Sequence, residues 1–92
     1  MKKITVIGAG TMGNGIAHTF AQKGFAVTLV DISEAALERG MNTIATNLDR
    51  MVAKGSISEA DKTETLSHLQ PSTDLKAAAE TSDLIVEAAT EN

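Results

Sequence analysis

Three short runs of aliphatic residues stand out along the chain, and none of them alternates cleanly between apolar and polar positions. The runs are Ile4–Ile7, Val27–Val30 and Leu84–Val86. Strands of a parallel sheet that are covered on both faces have this pattern, because neither face meets water. The pattern therefore predicts buried parallel strands, which we place at Lys3–Gly8, Ala26–Asp31 and Asp83–Glu87.

Helical periodicity occupies the intervals between these strands. A first helix is predicted from about Met12 to Lys23, with Gly24 at its end. A second is predicted from Ser33, which can cap it, to Lys54, because apolar residues recur there at spacings of three and four. At 1.5 Å per residue it is about 33 Å long, which is long for a helix that connects two strands. The polar stripe of the first helix, which we expect to face water, consists of Thr11, Asn14, His18 and Gln22.

Three shorter elements are predicted between the long helix and the last strand. Ser58 and Asp61 have the spacing of a capping box and start a short helix. Pro71 restricts the strand Leu69–Ser72 to an edge of the sheet, since proline cannot donate to the hydrogen-bond ladder. Asp74–Glu80 has the composition of a short alanine-rich helix.

This order of elements predicts an α/β fold, a Rossmann-type doubly wound parallel sheet. Right-handed crossovers give the strand order 3-2-1-4, with a long helical excursion between the second and third strands. The complete fold has six strands in two halves. We therefore expect residues 1–92 to be its N-terminal part, without the second half, and we expect an exposed apolar edge at the first strand.

The turn between the first strand and the first helix has the spacing of a dinucleotide-binding fingerprint, with glycines at Gly8, Gly10 and Gly13. The first glycine allows a tight turn, the second lets the backbone approach a pyrophosphate, and the third lets the helix pack on the strand. The helix that begins there points free N–H groups at the phosphates. A lone motif of this kind is weak evidence, but here a strand precedes it and a helix follows it.

Asp31 stands at the end of the second strand, 18 residues after Gly13, where a separation of about 20 residues is typical of this fingerprint. A carboxylate there can accept hydrogen bonds from the adenosine ribose, and it repels a 2′-phosphate. No cation follows it before Arg39. The predicted cofactor is therefore NAD rather than NADP, with FAD a weaker option. An alternative role for Asp31 is to cap the helix that begins near Ser33.

Composition excludes several other classes of function. The 92 residues suffice for one small domain, and the net charge of −4 argues against nucleic acid or an anionic membrane as a partner. No stretch approaches the roughly 20 apolar residues of a membrane span. The absence of cysteine excludes disulfides and zinc–thiolate sites and fits the cytoplasmic location that we expect. We also expect no metal site. Met1-Lys2-Lys3 leads directly into a strand, so no signal peptide is predicted.

With these elements placed, the chain resembles the N-terminal NAD-binding region of the 3-hydroxyacyl-CoA dehydrogenases, especially the bacterial 3-hydroxybutyryl-CoA dehydrogenases. The resemblance covers essentially all 92 residues and rests on Val6–Ala17, Val30–Ile32 and Asp83–Asn92. The last segment is the most diagnostic, because many dehydrogenases share the first. The helical excursion from Ser33 to His68 is also typical of this family.

The resemblance implies which residues bind the cofactor. These are Gly8, Ala9, Gly10, Thr11, Met12 and Gly13 at the pyrophosphate, Asp31 at the adenosine ribose, and Ala88 and Glu91, of which Glu91 lies on the nicotinamide side. The family's catalytic histidine, its glutamate partner and its C-terminal helical domain lie beyond residue 92. We therefore expect no catalytic residue and no turnover from residues 1–92 alone.

The family also uses its long helix to contact coenzyme A, at two positions that fall on Asn47 and Lys54 here. Asn47 replaces the serine that the family often has, whereas Lys54 keeps the cation. Arg50 and Lys54 lie four residues apart on one helix face and can meet a phosphate together. The alternative is a solvated basic edge that interacts with the helix C-terminus.

The resemblance implies an oxidoreductase of fatty acid or butanoate metabolism, and a homo-oligomer as the intact protein. It would transfer a hydride between NAD and the 3-position of a short acyl-CoA, while a histidine takes or gives the hydroxyl proton. Two alternatives remain, namely a standalone NAD-sensing or regulatory module and another β-hydroxyacid dehydrogenase. The long helix and the segment Glu87–Asn92 favour the acyl-CoA dehydrogenase.

Overall fold

Four parallel strands form the sheet in the computed structural model, which describes residues 2–88. The strands are β1 (Lys3–Ile7), β2 (Ala26–Val30), β3 (Leu69–Ser72) and β4 (Leu84–Glu87). Their order is β3-β2-β1-β4, and each neighbouring pair is parallel. The predicted fold class and strand order are confirmed.

Four helices connect the strands, namely α1 (Thr11–Gln22), α2 (Glu34–Lys54), α3 (Glu59–Ser67) and α4 (Leu75–Glu80). Their ends lie where the capping residues predict. The Ser33 hydroxyl accepts the Ala36 N–H at 3.1 Å, and Ser58 and Asp61 form the predicted capping box. Gly55 ends α2 with a φ of 80°, a left-handed conformation that glycine adopts without strain.

The core lies between the centre of the sheet and one face each of α1 and α2. Ile4 and Val6 of β1 are buried on this side, together with Leu29 of β2. Thr5, between them in sequence, is buried as well. Its hydroxyl donates to the Ala78 carbonyl of α4 at 3.2 Å and bonds to the Ser82 hydroxyl. Both faces of β1 are therefore covered, which explains why the strand lacks polar alternation.

One predicted polar position is wrong. Asn14 was expected in the wet stripe of α1, but it is buried, with 8% of its surface exposed. The first turn of α1 lies beside the segment that follows β4, since a Cβ on Gly13 would be 3.6 Å from the Ala88 Cβ. The first turn of α1 therefore has a neighbour besides the sheet, which helical periodicity alone does not predict. His18, further along α1, does lie at the surface, with its Nε2 2.9 Å from Gln22 Oε1.

The exposed apolar edge also differs from the prediction. β1 lies in the interior of the sheet, between β2 and β4, so it is not the edge. The outer strand on this side is β4, and Leu84 and Ile85 are each 47% exposed. Adjacent residues of a strand point to opposite faces, so β4 shows apolar surface on both. Within residues 2–88, no helix has the length and apolarity that a membrane crossing requires.

Candidate dinucleotide-binding site

The chain leaves β1 through a glycine turn, which we define as residues 8–13. Gly8 has a φ of 101°, in the left-handed region that favours glycine, and its N–H donates to the Val30 carbonyl at 2.7 Å. Gly10 is the N-cap of α1 and has an extended backbone. The turn therefore lies at the carboxyl edge of the sheet, where ligands bind in open α/β folds.

Gly10 and Gly13 differ in the space around them. A Cβ on Gly13 would lie 1.6 Å from the Gly8 carbonyl oxygen, so no side chain fits there. A Cβ on Gly10 would meet no described atom within 4 Å. The last glycine thus lets α1 lie directly against the end of β1, and the middle glycine leaves open space beside an exposed backbone.

The first turn of α1 presents free backbone donors. Gly10 supplies no side-chain cap, and no acidic residue occupies this turn. Among residues 2–88, no acceptor takes the N–H groups of Thr11, Met12 or Gly13. Free N–H groups and the positive end of the helix dipole attract phosphate. The shape and charge of this helix end therefore fit the pyrophosphate of a dinucleotide.

Asp31 follows β2 and faces the same turn. Its Oδ2 accepts the Ala9 N–H, and its Oδ1 accepts the Ser33 N–H, both at 2.9 Å. The Ala9 hydrogen bond, and after it the Ser33 hydrogen bond, lower the pKa of the Asp31 carboxyl below its ordinary value, whereas its partial burial raises it. Each oxygen keeps a lone pair that a ribose hydroxyl can approach. The carboxylate is therefore ionised at neutral pH and already oriented.

The alternative interpretation of Asp31 as a helix cap is wrong. The N-cap of α2 is Ser33, whose hydroxyl accepts the Ala36 N–H. Asp31 instead accepts the N–H of that capping residue and ties it to the glycine turn.

The remaining predicted cofactor residues surround this turn. Thr11 and Met12 are exposed in the first turn of α1, with Met12 at 57%. Ala88 is buried, and its N–H donates to the Ile7 carbonyl at 2.9 Å, which places it beside the end of β1. Ile32, directly after Asp31, is 94% exposed, an unusual environment for a large aliphatic side chain. Glu91 lies outside the described residues.

The two predicted coenzyme A residues lie elsewhere. Asn47 is half-buried on α2 and lines a groove of about 280 Å³ together with Arg50. Lys54 is exposed at the last residue of α2. The part of α2 next to the glycine turn is Gly40. Lys54 lies 14 residues after Gly40 in the sequence, which corresponds to about 21 Å along the helix. The structure therefore does not bring these residues to the cofactor turn.

Sequence reasoning missed Gly40, which lies inside α2 and is buried. A Cβ there would lie 3.1 Å from the Ala9 carbonyl oxygen and 3.4 Å from Leu29 Cδ2. The signal for it was a glycine in the middle of a strongly periodic helix, where glycine is disfavoured. It also missed the ion pair between Asp49 of α2 and Lys62 of α3, which joins these two helices.

The two histidines and Glu87 are not part of the turn. His68 Nε2 lies 3.9 Å from Glu64 Oε2, one helical turn earlier in the sequence, and His18 contacts Gln22. Glu87 is exposed at the last position of β4.

Comparison with known proteins gives a consistent result. Residues 3–92 match the family model described as 3-hydroxyacyl-CoA dehydrogenase, NAD binding domain. The chain is 47% identical over 91 residues to a 3-hydroxybutyryl-CoA dehydrogenase of Bradyrhizobium diazoefficiens, an alignment that covers 99% of the chain and 31% of that protein. It is 42% identical to a 3-hydroxyadipyl-CoA dehydrogenase of Escherichia coli, covering 99% of the chain and 19% of that protein.

Solved structures share the fold. The crystal structure of an (S)-3-hydroxybutyryl-CoA dehydrogenase from Ralstonia eutropha superposes with a TM-score of 0.94 at 43% identity, over 100% of the chain and 32% of that structure. A Mycobacterium tuberculosis structure titled FadB2 superposes with the same TM-score, 0.94, at 35% identity, and also covers 100% of the chain and 32% of its own length. The chain thus spans about a third of the length of these relatives.

The different surroundings of the glycines lead to a prediction. Gly10→Val should lower NAD affinity by about tenfold or more, because a side chain enters the space for the pyrophosphate. Its free energy of unfolding should change by only about 0.5 kcal/mol, as at other open surface positions. Gly13→Val should instead lower the free energy of unfolding by about 3 kcal/mol or more, since the Cβ clashes with backbone. Calorimetric titration with NAD and urea unfolding measure the two effects.

Gly15→Ala is the matched control, because a Cβ there meets no described atom within 4 Å. It should leave NAD affinity unchanged, and the free energy of unfolding should stay equal or rise slightly, because alanine favours a helix more than glycine does. A loss of stability at Gly10 as large as that at Gly13 would contradict the distinction.

Proposed function

Because the chain belongs to the 3-hydroxyacyl-CoA dehydrogenase family, as an NAD-binding domain, we propose that the whole protein transfers a hydride between NAD and the 3-position of a short acyl-CoA. The family and the cofactor predicted from sequence are confirmed. The match over residues 3–92 to this family model is the observation that carries the proposal. The residue roles and the reaction given below are part of the proposal.

The glycine turn and Asp31 are proposed to hold the adenosine and pyrophosphate half of NAD. Backbone N–H groups of residues 10–13 would donate to the pyrophosphate, and the Asp31 carboxylate would accept hydrogen bonds from the adenosine ribose. Support comes from the free N–H groups of α1 and from the orientation of Asp31 by Ala9 and Ser33. Bound NAD would supply or accept the hydride.

The nicotinamide half is proposed to lie beyond the end of β1, near Ala88 and Glu91. Ala88 is fixed by its hydrogen bond to Ile7 at this edge of the sheet. A base for the hydroxyl proton must stand within hydrogen-bond reach of the substrate. We propose that a histidine outside residues 1–92 provides it, because neither His18 nor His68 contacts the glycine turn.

Lys54 and Asn47 are proposed to contact the coenzyme A portion of the substrate. Lys54 is exposed at the end of α2, and Arg50 lies one turn before it on the same face. Two cations so placed can meet a phosphate group together. The same residues also fit a solvated basic end of the helix, where cations favour the C-terminal carbonyls.

The wider setting belongs to the same proposal. Residues 1–92 would form the N-terminal part of the NAD-binding domain, in a cytoplasmic homo-oligomer whose remaining parts supply the base. The relatives from Bradyrhizobium diazoefficiens and Ralstonia eutropha, which are about three times as long as the chain, support this division.

The reaction is tested by assay of the whole protein with NAD and 3-hydroxybutyryl-CoA. We expect NADH to form, as measured by its absorbance, and we expect no NADH from 6-phosphogluconate. NAD binding without turnover of any 3-hydroxyacyl-CoA would instead indicate a regulatory module.

Asp31→Ala should weaken NAD binding by about ten- to a hundredfold, because hydrogen bonds to a charged group are worth about 1.5–3 kcal/mol. NADP binding should weaken less, since the variant also removes the repulsion of the 2′-phosphate. Titration of both cofactors with wild type and variant gives the comparison. Equal losses for NAD and NADP would mean that Asp31 orders the loops without contacting the ribose.

Lys54→Ala should raise the KM for acyl-CoA by about ten- to a hundredfold, the effect of losing one charge-assisted hydrogen bond. The KM for a truncated thioester without the nucleotide portion should not change. Lys76→Ala is a suitable control, since Lys76 is an exposed cation on α4 that does not line the groove beside Asn47 and Arg50. An equal effect on both substrates would assign Lys54 to the solvated end of α2.

A further inference from the structure

We propose that Gly40 is a positioning residue for the cofactor, because it sets the orientation of the Ala9–Gly10 peptide. This inference rests on the proposed role of the glycine turn in holding the pyrophosphate. Gly40 lies in the middle of α2 and belongs to no nucleotide-binding motif. Its backbone approaches the glycine turn at Ala9, which is buried, whereas the next residue, Gly10, is exposed.

Of the three atoms nearest to a Cβ at position 40, the closest is a backbone atom, the Ala9 carbonyl oxygen, and the other two belong to the side chains of Leu29 and Ala9. A Cβ at this position would lie 3.1 Å from the Ala9 carbonyl oxygen, which is closer than an ordinary van der Waals contact. The Ala9 side chain is buried, with 4% of its surface exposed. With glycine at position 40, the backbone of α2 packs beside this carbonyl without a steric clash.

The Ala9 carbonyl and the Gly10 N–H belong to one rigid peptide plane. The structure contains no cis peptide among the described residues, so these two groups point in opposite directions. A carbonyl directed at α2 therefore directs the Gly10 N–H away from the core, toward the exposed side of the turn. Any rotation of the carbonyl turns the donor by the same angle.

The surroundings leave few other ways to relieve a clash at Gly40. The Ala9 N–H is held by Asp31 Oδ2 at 2.9 Å, and the Gly8 N–H is held by the Val30 carbonyl at 2.7 Å. On the other side, Ile44 and Leu48 fix α2 in the core, and both are fully buried. Rotation of the Ala9–Gly10 peptide is thus the softest response to an added methyl group.

The test is Gly40→Ala in the whole protein. Alanine favours the helix more than glycine does, so the free energy of unfolding should stay equal or rise. The Kd for NAD should nevertheless rise by about three- to tenfold, because a rotated Gly10 N–H makes a weaker hydrogen bond to the charged pyrophosphate without losing it entirely. The KM for NAD should rise with it, and kcat at saturating NAD should not change, because the pyrophosphate is remote from the reacting atoms.

Gly15→Ala is the matched control, the same substitution at a helical glycine with open space around it. It should leave the Kd for NAD unchanged. The inference is overturned if Gly40→Ala leaves the Kd unchanged, or if the Kd rises only with a matching loss of folded protein. The amide chemical shift of Gly10 without cofactor provides an independent readout. This chemical shift should change in Gly40→Ala and stay the same in Gly15→Ala. An unchanged Gly10 shift in Gly40→Ala would overturn the inference even if the protein did not bind NAD at all.

Discussion

The approach of α1 to the end of β1 is the constraint on which the site depends. A helix can offer its first N–H groups to a phosphate only if its axis is fixed relative to the strand before it. Here that contact is made by backbone alone, because the Cα of Gly13 lies where any Cβ would enter the Gly8 carbonyl. Because the contact is between backbone atoms, no change of side-chain rotamer can alter it. The position of the helix end therefore depends on the absence of a Cβ at Gly13.

The second strand is connected to the same junction through electrostatics. The Asp31 carboxylate accepts an N–H from the glycine turn and another from the cap of α2. A hydrogen bond to an ionised acceptor is about twice as strong as one between neutral groups. These two hydrogen bonds also lower the pKa of Asp31. Because they favour the ionised carboxylate in the folded chain, ionisation of Asp31 in turn favours the folded arrangement of the two loops. The loops after β1 and β2 are thus joined through Asp31.

Sequence patterns predicted the features that depend on residues nearby in the sequence or on a single packed partner. The glycine spacing required a close helix–strand contact, and Ser33, Ser58 and Gly55 marked helix ends through their local hydrogen bonds. Features that depend on a distant second neighbour were not predictable in this way. Periodicity assigns Asn14 to solvent, but the folded chain buries it next to Gly13, which lies close to Ala88, some 70 residues later in the sequence. From sequence alone, Gly40 is only an unfavourable residue inside a helix. Its reason becomes visible in the fold, where Ala9 packs against it. The roles of Asn47, Lys54 and Glu91 depend on parts of the protein beyond this sheet and stay predictions.

The length of α2 has a consequence for how this segment can change over evolution. The helix is continuous from its contact with the glycine turn at Gly40 to its last residue, Lys54. Inserting or deleting one residue between them would rotate Lys54 by about 100° around the helix axis and shift it by about 1.5 Å along it. Substitutions on the exposed face of this stretch disturb only their own surroundings. The residues on that exposed face can therefore vary in type, whereas a change in their number would move Lys54 relative to the glycine turn.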